Sequence, residues 1–296
     1  MSAMEPLVPD RPLTFLEMLA ATFRYLRRNP GATLGIGALL GTVTSTVYGI
    51  VFDGLVFGSG RAAEFEALLA GKALSNAEIT SAIEQMGELS PYIAMALAVS
   101  LVVQFAAMGV MTVGMVRAMQ GEALRPAEVW RHVPWARIVS VNLLVFAVLL
   151  AVVAVPVIPG YLFGGWALLV GLALAAIASV VVASISSLAV PAAILEELGA
   201  VAALRHTVMV ARGRVGRTVW LVFASLVVWD AVGSLIASPV SAVMASLAGG
   251  TDSAAGSALA GLVSGIVTGA ITLPTTAAMA VLIYTDLLRR RLPPSA

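Results

Sequence analysis

Apolar residues run through this chain in long stretches, and short arginine-bearing links separate them. Six stretches are long enough to cross a bilayer as helices of about 20 residues: 32–52, 92–115, 138–155, 161–190, 218–241 and 257–286. Ahead of the first, residues 13–28 place Phe15, Leu16, Met18, Leu19, Thr22, Phe23 and Leu26 at i, i+3, i+4, i+7 spacing, which predicts an amphipathic helix. Arg24, Arg27 and Arg28 close it, and Asn29-Pro30-Gly31 breaks it. Helices of this pattern lie along a membrane surface. The clearest stretch is 196–240, where the basic ELGAVAALRHTVMVARGRVGR passes directly into TVWLVFASLVVWDAVGSLIASPV. The pattern predicts an all-α polytopic membrane protein: a polar tail over 1–12, a six-span domain over 13–288 with cytoplasmic amphipathic helices, and a basic tail over 289–296.

The punctuation between spans is mostly proline. Pro91 opens the second span, and Pro191 stops the fourth. VPVIPG is read as a tight hairpin whose prolines end one helix and start the next. Pro274 predicts a kink in the sixth span. Residues 53–90 form the one long loop, rich in glutamate, with one or two short helices. Gly37, Gly41, Ser45 and Gly49 form one small-residue stripe, and Gly261, Gly265 and Gly269 a second. Such stripes let helices pack closely, within one chain or between chains. The layout suggests three units of a basic segment plus a helical hairpin, over 13–115, 126–190 and 196–288. Their shared segments TFRYLRRNPGATL, VWRHVPWARIV and MVARGRVGRTV match in charge pattern rather than letter by letter. Any even-span protein with its positive residues on one side would look similar.

Composition agrees with a lipid solvent. Hydrophobic residues make up 60% and charged residues 11%, where a soluble domain carries about 25% charged. No cysteine is present, which excludes disulfides, thiolate metal sites and cysteine nucleophiles. His132 and His206 are the only histidines, and neither has a partner at ligand spacing. The opening MSAMEPLVPDRPLTF has no apolar core, so the first span itself directs insertion. Charge placement sets the topology. Arg11, Arg24, Arg27 and Arg28 precede span 1; Arg117, Arg125, Arg131 and Arg137 follow span 2; Arg205, Arg212, Arg214 and Arg217 follow span 4; Arg289, Arg290 and Arg291 end the chain. The alternate side holds only Arg61 and Lys72. Positive residues stay in the cytoplasm, so both termini are expected inside and loop 53–90 outside. Trp130 and Trp135 suit the headgroup level.

Asp230 is the leading candidate for chemistry. An acid at the centre of a span costs roughly 2.5–3.5 kcal/mol on insertion scales and marks a functional-site hypothesis. It shares a helical face with Gly233, Ser234, Ala237 and Ser241, which should point into the bundle. Gln104 lies at similar depth, and Thr272 offers a hydroxyl near Pro274, so the three could form a buried polar cluster. That cluster could be a coupled transport site or simply an acid hydrogen-bonded between helices. Asp286 is expected to pair with Arg289 or Arg290, Asp53 to sit at the outer interface, and Asn142 to join helices. Ser179, Ser184, Ser186 and Ser187 can bond back to their own carbonyls. Arg24, Arg27, Arg28, Arg205, Arg212, Arg214 and Arg217 are candidates for anionic lipid headgroups, each worth about 1 kcal/mol near an anionic surface; topology alone also demands them. GRAAEFEALLAGKAL lacks the strand, the spacing and the hydroxyl of a phosphate loop. No metal set, catalytic triad or carboxylate pair can be assembled, and no cofactor or nucleic acid is expected.

The opening RPLTFLEMLAATFRYLRRNPGATLGIGALL is similar to the start of a family of actinobacterial multi-span proteins related to the membrane domain of glycerophosphoryl diester phosphodiesterase. The later LAVPAAILEELGAVAALRHTVMVARGRVGRTVWLVFAS resembles that family's second signature, a proline, a short acidic link and an arginine-rich helix entering a span. In some relatives a soluble catalytic domain follows. The paired histidines and acids it would need are absent here, so the resemblance implies no phosphodiesterase activity. The expected function is a non-enzymatic scaffold or lipid-associated accessory protein of the cytoplasmic membrane, whose partners are the bilayer, anionic lipids and a protein at the cytoplasmic face. The alternative is a small-molecule or lipid transporter using Asp230.

Overall fold

The computed structural model describes residues 11–49, 76–122, 125–163, 166–250 and 254–291, and every regular element among them is helical. Helix α1 (Phe15–Arg28) leads through a π-helical turn (Gly31–Gly35) into α2 (Ile36–Tyr48). Then follow α3 (Asn76–Met119), α4 (Pro126–Arg131), α5 (Trp135–Phe163) and α6 (Trp166–Ser186). The chain continues with α7 (Ala189–Leu195), α8 (Ala200–Ala211), α9 (Val215–Leu247) and α10 (Ala254–Arg289).

Five described stretches are long and apolar enough to cross a membrane: Ala98–Met119, Trp135–Pro159, Val170–Leu195, Val215–Leu247 and Ala258–Arg289. The first expected span is an apolar helix over Gly31–Val47; its last residues, with Asp53 and loop residues up to 75, lie outside the described residues. Large apolar side chains face outward along these helices. Leu150, Val155 and Leu162 do so on α5, Trp166, Leu174 and Ile177 on α6, and Trp220, Leu235 and Leu247 on α9. A soluble monomer rarely exposes apolar surface on this scale, whereas lipid chains solvate it. The fold is an all-α polytopic membrane fold.

Three proline readings are corrected. Helix α5 runs through Pro156 and Pro159 to Phe163, so the link to α6 falls beyond VPVIPG. Each proline removes one helical hydrogen bond, but a loop within this apolar segment would leave far more peptide groups without partners. Pro191 does not end a helix: it is the third residue of α7, where a missing N–H breaks no intrahelical bond. Residues 76–90 are not separate short helices; α3 is continuous through Pro91. Pro239 and Pro274 also lie inside helices, α9 and α10.

The chain divides into two compact units. The first comprises Met1–Ile36, Phe105–Ala231 and Thr272–Ala296. Here α5 and α6 pair as a hairpin, and α7 and α8 pack on each other and on that pair. Its core holds Met18, Tyr25, Met111, Met115, Ile138, Leu188, Met279 and Tyr284. Ile138 fills the space above Gly109, where a Cβ would lie 2.6 Å from its Cδ1. All fifteen arginines assigned to the inner side fall in this unit.

The second unit comprises Gly37–Gln104 and Val232–Ile271. Its two glycine stripes pack against each other within the one chain. A Cβ on Gly37 would lie 2.9 Å from the Cα of Ala270, one on Gly41 2.8 Å from the carbonyl oxygen of Gly265, and one on Gly269 2.8 Å from the Cα of Gly41. Ser45 covers Gly265, while Gly261 has open space around it. The small residues therefore set how closely α2 and α10 approach.

The first and third basic segments are built alike. Thr22 and Thr33 in one, and Thr207 and Thr218 in the other, hold the same spacing and are fully buried. Each hydroxyl donates to the carbonyl four residues earlier, at 3.0, 2.8, 2.8 and 3.1 Å respectively. The middle segment differs: its α4 has six residues and no threonine.

Candidate functional site

The most developed polar site is a clasp around Asp286, on the last turn of α10. Residues 12–14 precede α1 outside any regular element, with Thr14 as its N-cap. The N–H and carbonyl of Leu13 therefore have no helical partners and, being buried, need others. Leu13 N–H donates to Asp286 Oδ1 at 2.8 Å. Arg217 Nη1 and Arg290 Nε donate to Asp286 Oδ2 at 2.6 and 2.9 Å. A terminal nitrogen of each of these arginines also donates to the Leu13 carbonyl, at 3.3 and 3.2 Å. Asp286 is fully buried, and Leu13 nearly so.

The charges offset each other's poor placement. A carboxylate near a helix C-terminus opposes the helix dipole, and so does a cation in a first turn. Asp286 on α10 and Arg217 on α9 are such a pair, and each removes the other's penalty. Neighbouring arginines finish helix ends: Arg214 donates to the Arg290 carbonyl at 3.3 Å, Arg137 to that of Ala193 at 3.3 Å, and Arg291 to that of Met209. Tyr284 is fully buried two residues before Asp286, and its hydroxyl bonds His206 Nδ1 at 3.0 Å. That bond ties α8 to α10 beside the clasp.

The expected pairing of Asp286 with Arg290 is present, while the longer reach to Arg217 and Leu13 is new. A signal for it exists in the sequence: Asp286 is the one acid in α10, and it stands just before a run of three arginines.

The lipid-headgroup candidates divide. On α1, Met18, Ala21, Thr22, Tyr25 and Leu26 face the core, while Leu16, Phe23, Arg24, Arg27 and Arg28 are exposed. On α8, Ala203, Thr207, Val210 and Ala211 are buried, while Val201, Arg205, Val208 and the capping Arg212 are exposed. Both helices therefore present apolar side chains and guanidinium groups on one outward flank. Sequence spacing puts Leu16 and Phe23 on the face of Met18 and Leu26; they lie on this outer flank instead. Arg214 and Arg217 are half-buried, and Arg217 is committed to the clasp. Bonds from the Thr14 N–H and hydroxyl hold the Glu17 carboxyl below its usual range, and burial pushes the Tyr25 phenol up.

The buried acid expected in mid-membrane is corrected. Asp230 is exposed, and so is Gln104; neither side chain makes a hydrogen bond or ion pair among the described residues. On α9 the buried edge is formed by Trp229, Gly233 and Ala237, and Asp230 falls just outside it, beside exposed Leu226, Val227 and Ser234. Thr272 is half-buried, and its carbonyl accepts from the Thr275 hydroxyl at 3.1 Å. Among the described residues Asn142 does not join helices: its Nδ2 donates to the Ile138 carbonyl of its own helix at 2.9 Å. Ser184 and Ser187 bond back as expected, whereas the Ser179 hydroxyl is buried without a partner among the described residues. No group of three metal-ligating side chains occurs among the described residues. Compared with protein-family models, curated proteins and solved structures, the chain finds no match.

Proposed function

We propose that this chain is a non-enzymatic scaffold or lipid-associated accessory protein of the cytoplasmic membrane, crossing it six times with both termini inside. Helices α1 and α8 lie in the inner leaflet and offer a platform to a cytoplasmic partner. One observation carries this reading: each helix buries one face and exposes apolar side chains together with arginines on the other. Such a flank suits anionic lipid, where each basic residue adds about 1 kcal/mol. The resemblance to the phosphodiesterase-related membrane family supports the same reading.

Proximity labelling from a tag on a terminus tests it. The wild type should recover a consistent soluble protein, and Phe23→Glu combined with Val208→Glu should lower that recovery at unchanged protein level. Recovery of no consistent partner would overturn it. The second reading, transport, draws on the carboxyl of Asp230, which has no partner among the described residues. Labelling of a cysteine at Val227 by a water-borne thiol reagent would favour transport.

A further inference from the structure

Asp230 lies near the middle of α9, exposed, with no side-chain partner among the described residues. Ionisable residues within membrane spans face protein or water and pair with other polar groups. Here the neighbours on the same flank are Leu226 and Val227, 45% and 52% exposed. From Asp230 the exposed flank continues at every fourth position through Ser234, Ser238 and Ala242. The hydroxyls of Ser234 and Ser238 make no hydrogen bond among the described residues. The flank thus combines small side chains, which allow close approach, with three polar groups that lack partners among the described residues.

We propose that this flank of α9 is the contact between two copies of the chain. Copies inserted in the same orientation have parallel α9 helices. A two-fold axis along the membrane normal then brings each residue opposite itself at the same depth. Carboxyl and hydroxyl groups suit that arrangement. A serine hydroxyl both donates and accepts, and a carboxyl accepts from hydroxyls or, when it holds its proton, donates as well. In a close parallel crossing a side chain meets its own counterpart and also the residue one turn along, so Asp230 of one copy accepts from Ser234 of the other, and the reciprocal bond follows from symmetry. The six apolar stretches contain no lysine, arginine or histidine, so the contact is a hydrogen-bonded one rather than an ion pair.

The absence of cysteine makes a direct test available. Single cysteines at Ser234→Cys and Ser238→Cys, oxidised in native membranes, should give a disulfide-linked product of twice the chain mass. Ile236→Cys, exposed on another face, should not. In lipid nanodiscs, Asp230→Leu should lower the dimer fraction by about tenfold, while Asp230→Asn, which still donates and accepts, should retain it. The cysteine test leaves Asp230 intact, so misfolding of the leucine variant cannot decide the matter. A monomer with no cross-link at either serine, a cross-link to a protein of different mass, or labelling of Ser234→Cys by a membrane-impermeant maleimide would each overturn the proposal.

Discussion

Leu13 gives up both of its peptide groups to side chains, and Asp286 is the group that makes this possible. Removing the carboxylate leaves two guanidinium groups and one N–H facing a void. Breaking a buried ion pair from one side costs about 3–5 kcal/mol. Asp286→Ala should therefore lower the thermal midpoint in detergent markedly. Arg290→Ala should cost less, because Arg217 still serves both Asp286 and Leu13. Equal losses from the two variants would count against the clasp. The half of this site that is local, Asp286 with Arg290, follows from helical spacing. The half that joins Leu13 and Arg217 depends on tertiary packing, which residue spacing does not encode. Asp230 fails as a buried acid for a related reason: small neighbours mark a helix flank, but not what faces it.

At the scale of elements, the glycine stripes were legible because a close helix approach needs small residues at repeated positions. Their mutual pairing was not, since either stripe suits any helix. Gly41→Val should push α2 from α10 and destabilise the fold by roughly 1–3 kcal/mol, read as a lower thermal midpoint. Gly261→Val, placed in open space, should leave it nearly unchanged. The prolines misled because their ordinary role as helix breakers belongs to water, where a loop is well solvated. Inside an apolar segment, one lost hydrogen bond costs less than several exposed peptide groups, and α5 continues through two of them.

For the whole molecule, composition and run length were enough to read a helical membrane fold. Charge placement predicts its orientation. A reporter fused at Gly71 should be active only if it functions outside the cytoplasm, and one fused after Arg291 only if it functions inside. Both reading on the same side would refute the even-span topology. The division of the chain into two compact units was not legible, because each unit gathers segments distant in sequence.

The bond from Leu13 to Asp286 closes a separation of 273 residues. During synthesis at the ribosome, α1 emerges long before its anchor exists. The peptide groups of Leu13 must wait for their buried carboxylate partner until α10 has been made. Final docking of Leu13 is thus a late event, and a chain released before α10 would leave its N–H without the Asp286 carboxylate.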